Sequence, residues 1–274
     1  MRLALGFALL WLLCTPLGAS AYLMVDGNAR AGLDSWAFSG NSMGPNQLSF
    51  DGGVTDHLYE LYGYLGNASS VVRVIPANFD ELVPIGGAGS TASSRLVLNA
   101  AGAAALGLSA GDITLDYGFE LREATRSLIW DVGVTNAGLA TLDLVFYAYF
   151  DLDLEGDFGN DLATGGVGGF RVVDGATGFD LGVGSSSAAD HYQVAAFPNV
   201  QVVLDALQGA GAADLPDTGA PFGPGDFTGA LQFDFSIAPG GSQGLGIALI
   251  PEPATAIQLG LGLLGLAFAG HRRA

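Results

Sequence analysis

Ile113, Leu115, Tyr117, Phe119 and Leu121 occupy alternate positions, with Thr114, Asp116, Gly118 and Glu120 between them. A helix cannot gather such a set on one side, because its faces repeat every ~3.6 residues. A strand can, since successive side chains point to opposite faces. The pattern recurs: Leu128, Trp130, Val132 and Val134 face one way, and Ile129, Asp131 and Gly133 the other. Asn136-Ala137-Gly138 then turns the chain into a third run over 142–154. Leu231, Phe233, Phe235 and Ile237 oppose Gln232, Asp234 and Ser236 in a fourth. Shorter runs at 71–75, 95–99, 170–173, 192–197 and 200–204 read as further strands.

Glycine reinforces this. There are 43 in 274 residues, and each costs ~1 kcal/mol relative to Ala inside a helix, so long helices are disfavoured in the body. Short strands joined by Gly, Asn, Asp and Ser turns predict an all-β fold, an antiparallel β-sandwich over residues 22–250. Residues 208–228, rich in Gly, Pro and Asp, read as one long loop, and no internal repeat divides the chain.

Both ends read as addresses. Arg2 precedes an apolar run over 3–14, Pro16 and Gly18 break it, and Ala19-Ser20-Ala21 offers a small-x-small cleavage site. Residues 1–21 therefore read as a signal peptide cut before Tyr22. Cys14, the one cysteine, would leave with it, so the mature chain would form no internal disulfide. At the other end Pro251-Glu252-Pro253 precedes an apolar stretch over 254–270, then His271, Arg272 and Arg273. About 17 residues is the lower limit for a transmembrane helix, and the Arg272-Arg273 basic end would hold the tail on the cytoplasmic side. Gly260, Gly262 and Gly265 match the dinucleotide fingerprint as a string but lack its βαβ context.

This three-part tail resembles the PEP-CTERM sorting signal, also known as the ice-binding protein C-terminal domain. The resemblance implies reading by an exosortase, a membrane-embedded transpeptidase that cleaves near the motif. Within the body, Asp56-His57-Leu58-Tyr59 with Tyr62 and Tyr64, and residues 146–154, resemble segments of uncharacterised exported PEP-CTERM proteins, which implies a shared sandwich and no defined activity.

The charge is lopsided, with 27 acidic residues against 9 basic ones, all of them Arg. Such a surface repels phosphates, which excludes nucleic acid as a partner. Acidity is densest over 145–161. In an extended strand Val145, Tyr147, Tyr149, Asp151, Asp153 and Glu155 share one face. Asp151, Asp153 and Glu155 there make a candidate Ca²⁺ site, because hard oxygen ligands at this density suit that ion. An EF-hand is excluded, since position 12 would be Leu162 and no helices flank the loop. Tyr147 and Tyr149 are candidate ligand-binding rings beside those carboxylates. Two Asp-His pairs, Asp56-His57 and Asp190-His191, place neighbours on opposite strand faces and so make poor dyads on their own. With Cys14 in the expected signal peptide, no thiol nucleophile would remain in the mature chain.

With no catalytic set legible, the sequence predicts a non-enzymatic cell-surface or extracellular-matrix protein. It would be secreted, held transiently in the inner membrane by the tail and sorted by an exosortase-type enzyme. Two alternatives place extracellular polysaccharide as the partner: a carbohydrate-binding module, and a polysaccharide-active enzyme with paired carboxylates.

Overall fold

The computed structural model describes residues 22–33, 44–156 and 158–251. The expected signal peptide, Glu252, Pro253, the tail helix and Arg272-Arg273 lie outside them. No helix among the described residues is long and apolar enough to cross a membrane.

In chain order the strands begin with β1 (Tyr22–Asp26), β2 (Ala29–Leu33), β3 (Pro45–Ser49), β4 (Glu60–Gly66), β5 (Val71–Arg73), β6 (Phe79–Ala88) and β7 (Thr91–Leu98). Helix α1 (Ala100–Leu106) follows, then β8 (Ile113–Arg122), β9 (Ser127–Asn136) and β10 (Leu142–Leu152). Next come β11 (Asp161–Gly166), β12 (Gly169–Asp174), β13 (Asp180–Ser185), β14 (His191–Ala196) and helix α2 (Asn199–Ala206). The last strands are β15 (Phe222–Gly225), β16 (Phe227–Ile237) and β17 (Ser242–Pro251). The fold is all-β and antiparallel, as the alternation predicts. The expected body boundary at 250 falls one residue short, because Pro251 pairs with Leu181 at the end of β17.

Two large sheets form the layers. One has nine strands in the order β15-β11-β12-β13-β17-β9-β8-β7-β6, the other five in the order β14-β16-β10-β4-β5. A small sheet, β1-β2-β3, adds Met24, Leu33 and Leu48 to the same core. The inward residues of β8 and β9 meet those of β10 in that core. Trp130 sits edge-on to Tyr117, with ring centroids 5.3 Å apart, and 5.9 Å from Phe146. The apolar halves of the alternating runs are thus the ones buried.

The outer faces differ, and that difference positions the functional features. Behind the five-stranded sheet, Tyr62, Tyr64, Tyr147 and Tyr149 form a second buried cluster with Val71, Val200, Leu204 and Leu215. Helix α2 and the segment around Leu215 cover this face. Residues 200–204, expected as a strand, are therefore helical. Val200 and Leu204 are buried one turn apart while Val202 is 58% exposed, a pattern of period near four that a strand cannot give. Burying such side chains contributes ~1.5–3 kcal/mol each. Helix α1 was equally unexpected. Its N-cap is Asn99, whose side chain accepts from the N–H groups of Ala101 and Gly102, satisfying donors that a helix start leaves open. The expected long loop over 208–228 contains β15 and the start of β16.

Candidate functional site

The outward face of the nine-stranded sheet carries an open trough of about 720 Å³ that crosses β7, β8, β9 and β17. Register fixes its floor. Across one row Arg95 pairs with Asp116, Asp116 with Gly133, and Gly133 with Gly244. Across the next, Ser93 pairs with Gly118, Gly118 with Asp131, and Asp131 with Gly246. Four glycines thus pave the floor, and two carboxylates stand up from it on the diagonal. Diagonal neighbours of this kind lie ~7–8 Å apart.

The carboxylates differ in their surroundings. Arg95 Nε donates to Asp116 Oδ1 at 2.6 Å, and that exposed pair raises the Arg95 pKa through the hydrogen bond first. Asp131 makes no salt bridge among the described residues. Ser186 closes one side, where its Oγ accepts from the Gly246 N–H at 2.8 Å.

Two of the four glycines are not demanded by the backbone. Gly118 and Gly133 have no positive φ. A Cβ on Gly118 would meet Asp131 Cβ at 3.6 Å, and one on Gly133 would meet Asp116 Cβ at 3.5 Å, both ordinary contacts. Gly in a strand costs ~0.5–1 kcal/mol relative to Ala. Two strand-centre positions therefore forgo stability and leave room above the sheet.

A second feature is a smaller hollow of about 230 Å³ at the end of the five-stranded sheet, lined by Tyr59, Asp151, Asp153, Phe158, Phe197 and Asp226. Asp151 is the penultimate residue of β10, Asp153 follows that strand, and Asp226 precedes β16, which pairs with β10. One oxygen from each carboxylate lies within 4.8 Å of the others. Asp151 is only 2% exposed, and its Oδ1 has no hydrogen-bond partner. Burial, then the charges of Asp153, Asp226, Glu60 and Asp161, push its pKa up to about 8. Burial also raises that of Asp226.

The structure redistributes the residues singled out by sequence. Asp151 and Asp153 do come together, but Glu155 leaves them. The strand ends at Leu152, and a single 3-10 turn at Leu154–Gly156 redirects the chain, with Glu155 at φ 59°. Glu155 instead donates its backbone N–H to His57 Nδ1 at 3.2 Å. Asp226 takes the third position, which no local pattern could indicate. Tyr147 and Tyr149 share the expected face, yet both are fully buried under α2 and its following segment. The Tyr147 hydroxyl donates to the Ala213 carbonyl at 2.9 Å, so this ring holds the covering segment and presents no surface to a ligand.

The Asp-His pairs are held by partners outside the three-carboxylate group. His57 is buried and stacked on Phe179 at 4.2 Å, and burial lowers its pKa to about 4. Asp56 accepts from the Leu48 and Leu58 N–H groups. His191 Nδ1 lies 2.9 Å from Asp217 Oδ2, and Asp190 accepts from the Asp234 N–H. Each member of both pairs thus has its own structural partner.

No family model and no curated protein matches this sequence. Solved structures do match in fold. A bacterial glucoamylase in complex with acarbose is 11% identical at a TM-score of 0.55, over 87% of this chain and 32% of the glucoamylase. This chain therefore spans about a third of that enzyme's length. A galactose mutarotase-like protein from Clostridium acetobutylicum gives 8% identity and a TM-score of 0.54, over 84% of this chain and 94% of its own. A putative aldose 1-epimerase from Escherichia coli K12 gives 10% and 0.53, over 84% and 98%. At these identities the likeness concerns the fold. It overturns the expectation of a non-enzymatic surface or matrix protein, because the architecture is one shared with proteins named as sugar-converting enzymes.

Proposed function

We propose that this protein is a carbohydrate-active enzyme that takes a saccharide into the trough and performs acid–base chemistry at its anomeric centre. One observation carries the reading: Gly118 and Gly133 keep the floor open where the fold itself would accept side chains. The trough's volume lies in the ~300–1,000 Å³ range of small-molecule sites. Its walls supply hydroxyl, guanidinium and carboxylate groups suited to sugar hydroxyls. Asp131, without a salt bridge, is the group that takes and returns the proton. Asp116, fixed by Arg95, supplies a negative charge beside the carbon where positive charge develops. They stand on adjacent strands in neighbouring rows of the floor, so a ligand lying in the trough meets both. Likeness of fold to glucoamylase and to mutarotase-like proteins supports the same class.

The test is an assay of reducing-sugar release and of anomer exchange on a panel of aldoses and oligosaccharides. Asp131→Asn should lose most of any activity seen while keeping the fold. A saccharide bound in the trough but never converted would replace the enzyme reading with pure recognition.

We also propose that the chain is exported and processed at its tail by an exosortase-type enzyme, on the strength of the terminal sequence patterns alone. Because Pro251 closes β17, a cut that spares the sheet falls after it. Intact-mass measurement of exported material tests this. Mature protein should begin at Tyr22 and lack residues 254–274; their retention would end the proposal.

A further inference from the structure

We infer that the hollow at the end of the five-stranded sheet is a Ca²⁺ site, with Asp151, Asp153 and Asp226 as its protein ligands. This site is separate from the trough, and the inference stands or falls independently of the saccharide reading.

Asp151 is the buried member of the group. A carboxylate oxygen buried away from water without a hydrogen bond is costly, and Asp151 Oδ1 is such an atom. Its position is fixed by the sheet. Asp151 pairs with Thr228 on one side and Glu60 on the other, and its carbonyl accepts from the Tyr59 N–H at 3.0 Å. Backbone pairing on both sides therefore holds the residue in place. Two further carboxylates converge on the same point from separate chain segments, Asp153 after β10 and Asp226 before β16. The Asp226 carbonyl is itself anchored by the Phe197 N–H at 3.0 Å. Three carboxylates held together by backbone register cannot all ionise without mutual repulsion, and a shared cation offsets that repulsion.

Ligand chemistry selects the ion. Mg²⁺ demands near-ideal octahedral geometry and keeps several of its waters, whereas Ca²⁺ accepts an irregular set of oxygens. Three carboxylates fixed at the ends of paired strands form such an irregular set, with one oxygen from each within 4.8 Å of the others, and that suits Ca²⁺. Three carboxylates leave the ion short of the ~6–8 oxygens it takes. The hollow opens to solvent between the exposed rings of Tyr59, Phe158 and Phe197, so water completes the shell.

Two measurements on the full chain test this. The first is Tb³⁺ luminescence excited through aromatic side chains and displaced by Ca²⁺ or Mg²⁺. The second is thermal unfolding with Ca²⁺ and with chelator. Ca²⁺ should displace Tb³⁺ at least tenfold more effectively than Mg²⁺ and should raise Tm. Asp226→Asn and Asp153→Asn should each weaken Ca²⁺ binding at least tenfold, while Glu155→Gln leaves it within twofold. Asp151→Asn carries a sign reversal that a misfolded variant would not show: Tm in chelator equal to or above that of the unmutated chain, and no rise with Ca²⁺. Coincident unfolding curves with Ca²⁺ and chelator would overturn the site. So would an unchanged Ca²⁺ response in both Asp226→Asn and Asp153→Asn, or loss of binding in Glu155→Gln alone.

Discussion

Gly133→Val separates what the fold needs from what the trough needs. Gly133 lies mid-strand in β9, between Asp116 on β8 and Gly244 on β17. Its φ is not positive, and an added Cβ meets Asp116 Cβ at 3.5 Å and the Asp116 carbonyl oxygen at 3.8 Å. Neither contact requires the neighbour to move. Replacing a strand glycine recovers ~0.5–1 kcal/mol of unfolded-state entropy. A β-branched side chain suits a pleated surface on a propensity scale spanning ~1 kcal/mol. For a body of this size ~1 kcal/mol corresponds to ~2–4 °C in Tm, so Gly133→Val should unfold at the same temperature or a few degrees higher. Its isopropyl group stands in the floor beside Asp116, where it should abolish saccharide binding and turnover. Gly184 on β13 serves as control, since a Cβ there meets nothing within 4 Å and the residue does not line the trough. Scanning calorimetry and saccharide titration on both variants give the answer. A Gly133→Val protein that is stable and still binds or converts its saccharide as well as the Gly184→Val control would show that the open floor is not where the saccharide sits. A large fall in Tm would show that the glycine serves the fold after all.

Two further outcomes concern the core. Trp130→Ala should cost ~3–5 kcal/mol, read by denaturant unfolding, because the ring is fully buried against Tyr117, Phe119 and Phe146; a loss below ~1 kcal/mol would mean that the two sheets do not meet there. His57 should make stability fall with acid. Its folded pKa is lowered by burial from 6.5 to about 4, with Asp51 opposing and Arg126 assisting. The neutral ring's contribution is therefore complete above pH ~6.5 and is lost as pH falls toward 4, about 2 kcal/mol by pH 5. Buried Asp56 and Asp151, whose pKa values are raised, act with the opposite sign. The measurable quantity is thus the difference in pH slope between the unmutated chain and His57→Gln, and equal slopes would exclude this role.

The strands that two sheets bury in common were legible in the sequence, because one face of each had to be apolar. Ile113 to Leu121 and Leu128 to Val134 alternate as expected, with Asp116, Gly118, Asp131 and Gly133 outward. The floor of the trough was therefore present as a pattern of Asp and Gly. That it forms a site was not, since only pairing across β7, β8, β9 and β17 brings these residues into two adjacent rows. Strand β10 misled for the opposite reason. Its Tyr147 and Tyr149 face looks half-polar, yet it is buried on both sides once α2 and the segment near Ala213 cover it. A tyrosine ring reads equally well as a ligand platform or as a buried ring with its hydroxyl satisfied. Asp226 lay beyond any local reading, because it joins Asp151 and Asp153 only through the pairing of β10 with β16.

Conversion of a saccharide in the trough, as proposed above, runs through Asp131. The most direct measurement is proton NMR of anomeric resonances, with the purified protein and its Asp131→Asn variant incubated in turn with a panel of aldoses and oligosaccharides. Anomer exchange or bond cleavage should appear for at least one sugar and fall ~10²–10⁴-fold in the variant, as expected on removing an acid–base group, with its Tm kept. Turnover that persists undiminished in Asp131→Asn, or no exchange and no cleavage across the panel with the unmutated protein, would contradict it.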